Sequence, residues 1–170
     1  GMGVAPKTIH GDVDVQPKLD FELKKDLDGK DIKVDVKADL HDVSNSDFMP
    51  GHNLSAENLL LLVNTDGWSL NGEAKYDDLP IKLAINEKFA EKKYKSKCNI
   101  SFKLDDAAKK VLGLDWNVLQ APNISDYAWV DADITVQQND EIAVKVKADL
   151  KNTAIDFAYL GFVKPLNQAA

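Results

Sequence analysis

Alternating apolar and polar residues run through long stretches of this chain. The stretch 31–40 is the clearest, because Asp and Lys take every second position and the apolar residues between them are Ile32, Val34, Val36, Ala38 and Leu40. Successive side chains of a strand point to opposite faces, so this pattern predicts a strand with one apolar face and one wet face. The same alternation predicts strands at 13–23, 32–40, 57–64, 68–76, 79–89, 94–104, 127–137 and 141–151.

Turn and cap residues separate these segments. Asp28-Gly29, Asp66-Gly67 and Asp77-Asp78 are the residue types that tight turns prefer. Gly72 lies inside a predicted strand and indicates a bulge or sharp curvature there. One segment changes to helical spacing, with Asp105 as the expected N-cap, Gly113 as the expected C-cap and an apolar side formed by Ala107, Ala108, Val111 and Leu112.

One string of residues occurs twice. Ile-x-Val-x-Val-Lys-Ala-Asp-Leu stands at 32–40 and again at 142–150, and an Asp-Phe pair follows each copy. An alternating segment also precedes each copy, so the first hairpin is predicted to recur as the last one. Because repeat units bury their apolar faces against their neighbours, we expect the chain to be a piece of a longer repeating β-structure, with an unpaired strand at one end or both.

The apolar faces of the predicted strands need a cover. One short helix cannot cover eight strands of roughly 33 Å each, at about 3.3 Å per residue. The sheet could close into a barrel, fold into a sandwich, or remain an open trough with an exposed lining. Periodicity alone favours the closed forms, whereas the repeat favours an extending, open sheet.

Composition and charge exclude several classes of protein. The 170 residues suit one domain, with 44% hydrophobic residues and a net charge of -7. The acidic balance argues against a nucleic-acid partner, since binding to phosphates needs a basic surface. Apolar runs are far shorter than the roughly 20 residues of a spanning helix. Cys98 is the single cysteine, so it has no partner in the chain for a disulfide.

Candidate chemistry is sparse. The segment Lys24 to Asp35 approaches a calcium-loop pattern but has the wrong residue at both ends of the loop. The three histidines show no metal-ligand spacing, and His41, Asp42, Ser44 and Ser46 are close only along a predicted loop. No nucleophile elbow surrounds any serine. We therefore expect a protein that is not an enzyme and that needs no cofactor or metal.

Three features together resemble a known family. They are the order of the alternating strands, the segment Phe102-Lys-Leu-Asp-Asp-Ala-Ala-Lys-Lys-Val-Leu-Gly-Leu-Asp115, and the closing Leu160-Gly-Phe-Val-Lys-Pro165. From about Gly11 to Pro165, the chain resembles the AsmA-like repeat domain of bacterial envelope proteins, which act as bridge-like lipid transporters. The family carries no catalytic motif that could be transferred to this chain.

The resemblance implies a fold class and a domain organisation. The fold is a mainly β chain in which about eight antiparallel strands form a strongly curved sheet, an open groove or incomplete barrel, with one short helix. Residues 1–10 are expected to be a tag remnant and flexible N-terminus, 11–165 a single groove domain, and 166–170 a C-terminal tail.

The resemblance also implies a function and a location. The domain would be a periplasmic part of an inner-membrane-anchored protein that offers its groove to phospholipid acyl chains for outer-membrane biogenesis. Its partners would be those acyl chains and adjacent repeats, with membrane association through other parts of the parent protein. The residues expected to line the groove are Val13, Val15, Val34, Val36, Leu83, Ile85, Ile100, Phe102, Val144 and Val146. The alternatives are a protein-interaction module that recruits another chain at an edge strand and a structural spacer with a filled core.

Overall fold

Strands dominate the structure, as the alternation predicts. The computed structural model describes residues 9–22, 32–49, 51–91, 93–114 and 116–168. Within those ranges there is one α-helix, α1 (Asp106–Val111), and two short 3-10 turns at Asn117–Leu119 and Ala158–Leu160. The strands are β1 (Ile9–Asp20), β2 (Lys33–Met49), β3 (His52–Asn64), β4 (Gly67–Tyr76), β5 (Leu79–Lys88), β6 (Tyr94–Leu104), β7 (Ile124–Asp126), β8 (Ala128–Gln137), β9 (Ile142–Asp149), β10 (Thr153–Phe157) and β11 (Phe162–Lys164).

Eight of these strands form one antiparallel sheet. Their order is β1-β2-β3-β4-β5-β6-β8-β9, so nearly every strand pairs with its neighbour in sequence. The sheet is open, because β1 and β9 lie at opposite edges and do not pair with each other. The closed-barrel alternative is therefore wrong, and the open sheet favoured by the sequence repeat is confirmed.

Three short strands form a second sheet that the sequence pattern does not predict. Its order is β11-β10-β7, with Ile155 of β10 opposite both Ile124 and Lys164. Lys164 is buried, and its ammonium donates to the carbonyl oxygen of Thr153 at 2.7 Å. These strands have too few residues to show an alternation, and the pairing of β7 with β10 joins segments that are far apart in sequence.

The helix α1 has the N-cap that its sequence predicts, whereas its C-cap is one residue earlier than the expected Gly113. Asp105 is the N-cap, and its carboxylate accepts a hydrogen bond from the Ala108 N–H at 3.1 Å. The C-cap is Leu112, and Gly113 follows it with φ +66°, a left-handed conformation that glycine adopts without strain. Ala108 is the most buried residue of the core and packs against the sheet, so α1 covers part of the apolar side.

Several predicted boundaries are wrong. β1 begins at Ile9, inside the predicted flexible N-terminus, and ends at Asp20, before Phe21. β2 continues to Met49, so His41 to Ser46 belong to a strand and not to a loop. Asp42 interrupts the alternation in β2 with φ 50°. The predicted Asp28-Gly29 turn, Leu23 and most of the calcium-like segment lie outside the described residues.

Gly72 does not mark a bulge. It pairs regularly with Leu59 on one side and Leu83 on the other. A Cβ atom at this position would lie 2.6 Å from Leu59 Cδ2 and 2.7 Å from the Asn58 carbonyl oxygen. Glycine is therefore required by the close packing of Leu59, and the nearest irregularity in pairing is on β3, between Ser55 and Asn58.

The repeated string places matched residues on the same face of the sheet. Val34 and Val36 in β2 share a face with Val144 and Val146 in β9, as the cross-strand pairings show. The two copies differ in position. β2 has neighbours on both sides, whereas β9 has β8 on one side only.

Candidate functional site

One face of the eight-stranded sheet is apolar from edge to edge. In an antiparallel pair, residues directly opposite each other lie on the same face, so the pairings trace rows across the sheet. One row consists of Val13, Leu40, Leu59, Gly72, Leu83, Ile100, Ala132 and Val146. The next consists of Val15, Ala38, Leu61, Leu70, Ile85, Cys98, Ile134 and Val144. We call the side that carries these two rows the apolar face.

Every residue predicted to line the groove lies on this face. Seven of them belong to the two rows. Phe102 continues the face toward α1, opposite Ile81 and Val130, while Val36 and Val34 continue it toward the other end of the strands. The sequence therefore predicted the face of each side chain correctly, although it did not predict how much of each is covered.

Cover on the apolar face is uneven. In the centre, Leu83 is 6% exposed and Ile81 is 7% exposed. At the edges, Val15 is 52% exposed and both Val144 and Val146 are 60% exposed. The apolar face thus has a buried centre and two open flanks, one on β1 and one on β9.

The centre is buried because α1 packs over it at one end. Ala108 belongs to one core cluster with Ala56, Leu59, Ala74, Leu79 and Ile81. Val111 and Leu112, at the end of the helix, pack against the same cluster. The helix therefore covers one end of the apolar face, against β5 and β6 and the core cluster of β3 to β5, and leaves the edge strands uncovered.

The end of the face remote from α1 is less apolar. A row there begins with Val36, Val63 and Trp68, continues with Glu87 and Ser96, and returns to apolar residues at Val136 and Ile142. Glu87 and Ser96 are half-buried. The charged and polar side chains at this end make it a less favourable surface for apolar contacts than the two rows, since a charged group is costly to desolvate.

The opposite face is polar on most strands. One of its rows contains Asp14, Asp39, Asn71, Asn99, Asp133 and Lys145. β3 is an exception, because Leu60 and Leu62 also lie on this side, and Leu62 is 41% exposed. The two faces of the edge strands therefore differ sharply in chemistry, while both have access to solvent.

Cys98 occupies the second apolar row, between Ile85 and Ile134. Burial raises the pKa of its thiol. The thiolate is the reactive form of cysteine, so this residue is a poor nucleophile near neutral pH. It contributes packing to the apolar face.

The histidines lie in separate surface contacts. His41 Nδ1 donates to Asn58 Oδ1 at 2.8 Å, and its Nε2 lies 3.4 Å from a carboxylate oxygen of Asp14. His52 Nδ1 lies 2.7 Å from a carboxylate oxygen of Asp77. Within the described ranges, no group of three or more His, Cys, Asp or Glu side chains is arranged to hold a metal ion.

Two lysines are buried, Lys109 and Lys164. Lys109 donates to a carboxylate oxygen of Asp106 at 2.9 Å and to the Ile124 carbonyl at 3.5 Å, which links α1 to β7. Lys164 donates to backbone carbonyls of Thr153 and Pro165. Both amines make structural contacts, and no sequence signal distinguishes them from the exposed lysines.

Among the described residues, no helix is both long and apolar enough to cross a bilayer. Comparisons with known proteins add no assignment. No family model, no curated protein and no solved structure matches the chain, and its resemblance to AsmA-like repeats remains a prediction from the sequence.

Proposed function

We propose that this domain is a non-enzymatic segment of a periplasmic lipid-transport bridge in an inner-membrane-anchored bacterial protein. In this proposal the sheet curves into a groove, and the apolar face contacts phospholipid acyl chains on their way to the outer membrane. The observation that supports the proposal is the pair of apolar rows that crosses all eight strands and remains exposed on both flanks.

The physical basis is the cost of leaving the flanks in water. Each large aliphatic side chain that is transferred from water to an apolar contact contributes roughly 1.5 to 3 kcal/mol. An acyl chain of about sixteen carbons offers on the order of 12 kcal/mol before the cost of ordering it, at about 0.8 kcal/mol per methylene. A lipid chain lying along Val144 and Val146 would therefore be stabilised by the same surface that the monomer leaves bare.

The position of α1 suggests where the chain would lie. The helix occupies the central part of the face, against β5 and β6 and the core cluster of β3 to β5, which leaves the flanks on β1 and β9 for a ligand. An aliphatic lining distinguishes chain from water and does not distinguish one head group from another. The proposal therefore specifies acyl chains as the ligand and assigns no head-group selectivity.

A second candidate function is a structural or protein-interaction module without a ligand. The buried centre of the sheet favours it, because Ala56, Leu59, Ala74 and Ala108 already form one buried cluster with the helix. The two candidates differ in what covers the flanks: lipid in the first, and protein or solvent in the second.

Site-specific photo-crosslinking in the intact parent protein tests the proposal. A photoreactive amino acid at Val144 should capture lipid, whereas one at the adjacent Lys145 should not, because these side chains point to opposite faces of β9. Val36 and Ile100 should behave like Val144, and Lys37 and Lys103 like Lys145. Equal capture on both faces, or no capture on either in a folded protein, would contradict the lipid proposal and favour the spacer.

A further inference from the structure

Among the residues that the structure describes, no strand pairs with the outer side of either edge of the eight-stranded sheet. β1 pairs only with β2 and β9 pairs only with β8, and every residue of both strands is solvent-exposed. An edge strand presents unpaired backbone N–H and C=O groups that can pair with another strand. The edges differ in sequence, since β1 carries Asp12 and Asp14 on its polar side and β9 carries Lys145 and Lys147.

In β9, the backbone N–H and C=O groups that point away from β8 belong to the apolar residues. The Gln137 N–H donates to the Glu141 carbonyl oxygen at 2.8 Å, which sets the alternation in the β8–β9 hairpin. Counting along β9, the backbone groups of Ala143, Lys145 and Lys147 face β8. Those of Val144 and Val146 therefore point away from the sheet.

The free groups of β1 also lie at its apolar positions. The Val34 N–H points toward β3, where it donates to Thr65 Oγ1 at 3.2 Å. The backbone groups of Asp35 therefore face β1, and those of its partner Lys18 face β2. By alternation, the groups of Pro17, Val15 and Val13 point outward.

We propose that β9 of one copy of this chain pairs antiparallel with β1 of a second copy, with Val144 opposite Val15 and Val146 opposite Val13. In this register the outward backbone groups of the two strands meet. The apolar side chains of both strands then lie on one face. On the other face, Lys145 stands opposite Asp14 and Lys147 stands opposite Asp12, which are favourable cross-strand ion pairs.

Charge selects this register from its neighbours. Sliding the strands by two residues in one direction places Asp149 opposite Asp12, a pair of like charges. Sliding them in the other direction places Lys147 opposite His10 and leaves Asp14 opposite Ala143. The proposed register is the one of these three in which both lysines meet carboxylates.

The pairing of β8 with β9 within the chain shows the same charge pattern as the proposed pairing between copies. On its inner side, β9 already pairs with alternating aspartates, with Lys145 opposite Asp133 and Lys147 opposite Asp131. The segment Gly11-Asp12-Val13-Asp14-Val15 of β1 repeats the apolar-aspartate alternation of Val130 to Ile134 in β8. Pairing with β1 of a second copy therefore gives β9 the same kind of neighbouring strand on both sides.

The even number of strands is compatible with this pairing of β9 with β1 of a second copy, which we call the seam. The sheet has eight strands that alternate in direction, so β1 and β9 run antiparallel to each other. A second copy in the same orientation thus offers an antiparallel β1 to the β9 edge. Both apolar rows continue across the seam, from Val146 to Val13 and from Val144 to Val15. The contact is head-to-tail and leaves a free edge at each end of the dimer.

Pro17 limits the seam. It stands opposite Ile142, at the start of β9, and supplies no N–H to the partner strand. Proline and lysine on edge strands oppose uncontrolled pairing. We therefore expect a reversible, concentration-dependent association that weakens with salt, because exposed ion pairs are screened.

Heterotypic cysteine crosslinking tests the register. Two variants, Val15→Cys and Val144→Cys, are each made with Cys98→Ala, mixed without lipid, and oxidised mildly. Opposed residues of an antiparallel pair have Cα atoms about 5.5 Å apart, within the range of a disulfide. A mixed disulfide dimer is the expected product. The pair Val15→Cys and Lys145→Cys is the matched control, because these side chains point to opposite faces.

Sedimentation velocity over a concentration series gives the second measurement. Asp12→Lys combined with Asp14→Lys should weaken the association at least about tenfold, because two attractive cross-strand pairs become repulsive. Within the monomer, the substitution removes the contact of Asp14 with His41 and also the like-charge pair of Asp14 with Asp39, so the melting temperature of the variant is measured alongside to show that it remains folded. Pro17→Val, which restores the missing donor, should strengthen the association.

Three outcomes would overturn the proposal: homotypic disulfides in preference to the mixed one, equal crosslinking in the control pair, or a monomer at all concentrations. None of these measurements involves lipid. The failure of the edge pairing is therefore distinguishable from the failure of the lipid-transport proposal.

Discussion

The centre and the flanks of the sheet share one sequence pattern and have different environments. β5 and β9 both alternate apolar and polar residues, yet Leu83 is 6% exposed while Val146, in the same cross-strand row, is 60% exposed. The difference arises from neighbours: β5 lies between two strands and near α1, whereas β9 has one neighbouring strand and no cover. Alternation thus determines which way a side chain points, and tertiary position determines whether it is buried.

Truncation of matched residues in these two regions should give the largest difference. Leu83→Ala should lower the free energy of unfolding by about 2–5 kcal/mol, since it leaves a cavity in the buried centre. Val146→Ala should lower it by less than about 1 kcal/mol, because the valine is already in water. Chemical denaturation of both variants measures the contrast. A similar loss in both would indicate that the β9 flank is buried in solution.

The helix cover can be loosened at its N-cap. Asp105→Ala removes the carboxylate that accepts the Ala108 N–H and should cost about 1 kcal/mol of the free energy of unfolding. The matched control is Asp105→Asn, which keeps an acceptor oxygen and should retain most of the stability. Hydrogen exchange should then increase around Ala74 and Ile81 and remain unchanged on β9. Faster exchange on β9 as well would show that the helix stabilises the whole sheet.

The smallest expected effect is a pH dependence at the β1 edge. The hydrogen bond to Asn58, followed by the charge of Asp14, raises the pKa of His41 above its ordinary value of 6.5. Protonated His41 therefore stabilises the fold. This contribution is complete below the ordinary pKa and is lost as the pH rises through the raised pKa.

The melting temperature should accordingly decrease slightly more between pH 6 and pH 8 in the wild type than in a His41→Gln variant. Differential scanning calorimetry at several pH values measures this difference. Identical profiles for the two proteins would show that the His41 contacts do not contribute to stability in solution. The effect is small because the histidine lies on the exposed side of the sheet.

The sequence was most informative where structure is local. All eight strands of the large sheet and α1 were predicted, because each has enough residues for alternation or capping to be recognised. β7, β10 and β11 were missed, since three to five residues carry no periodic signal. The burial of Lys164 depends on the pairing of β10 with β11, which brings the Thr153 carbonyl to its amine.

Local sequence also determined how much of the candidate site could be predicted. The face of each lining residue follows from parity along its own strand, so Val36, Ile100 and Val144 were assigned to the correct side. Closure of the sheet depends on whether β1 meets β9, and neither strand carries a local signal for that. The bulge expected at Gly72 is absent, and the role of this glycine could not be read from its own strand because it depends on Leu59 in the neighbouring one.

The rate of chemical modification of the single thiol, Cys98, reports the solvent accessibility of the sheet centre. Cys98 lies in the middle of the second apolar row, and its raised pKa keeps it protonated. Because Cys98 is half-buried, the rate at which a thiol reagent modifies it depends on how far the surrounding apolar face is open to solvent. The modification rate of the otherwise unaltered chain therefore changes when the centre of the sheet becomes more or less accessible to solvent. A ligand or a second copy that binds the flanks and stabilises the sheet would lower that rate without contacting the cysteine.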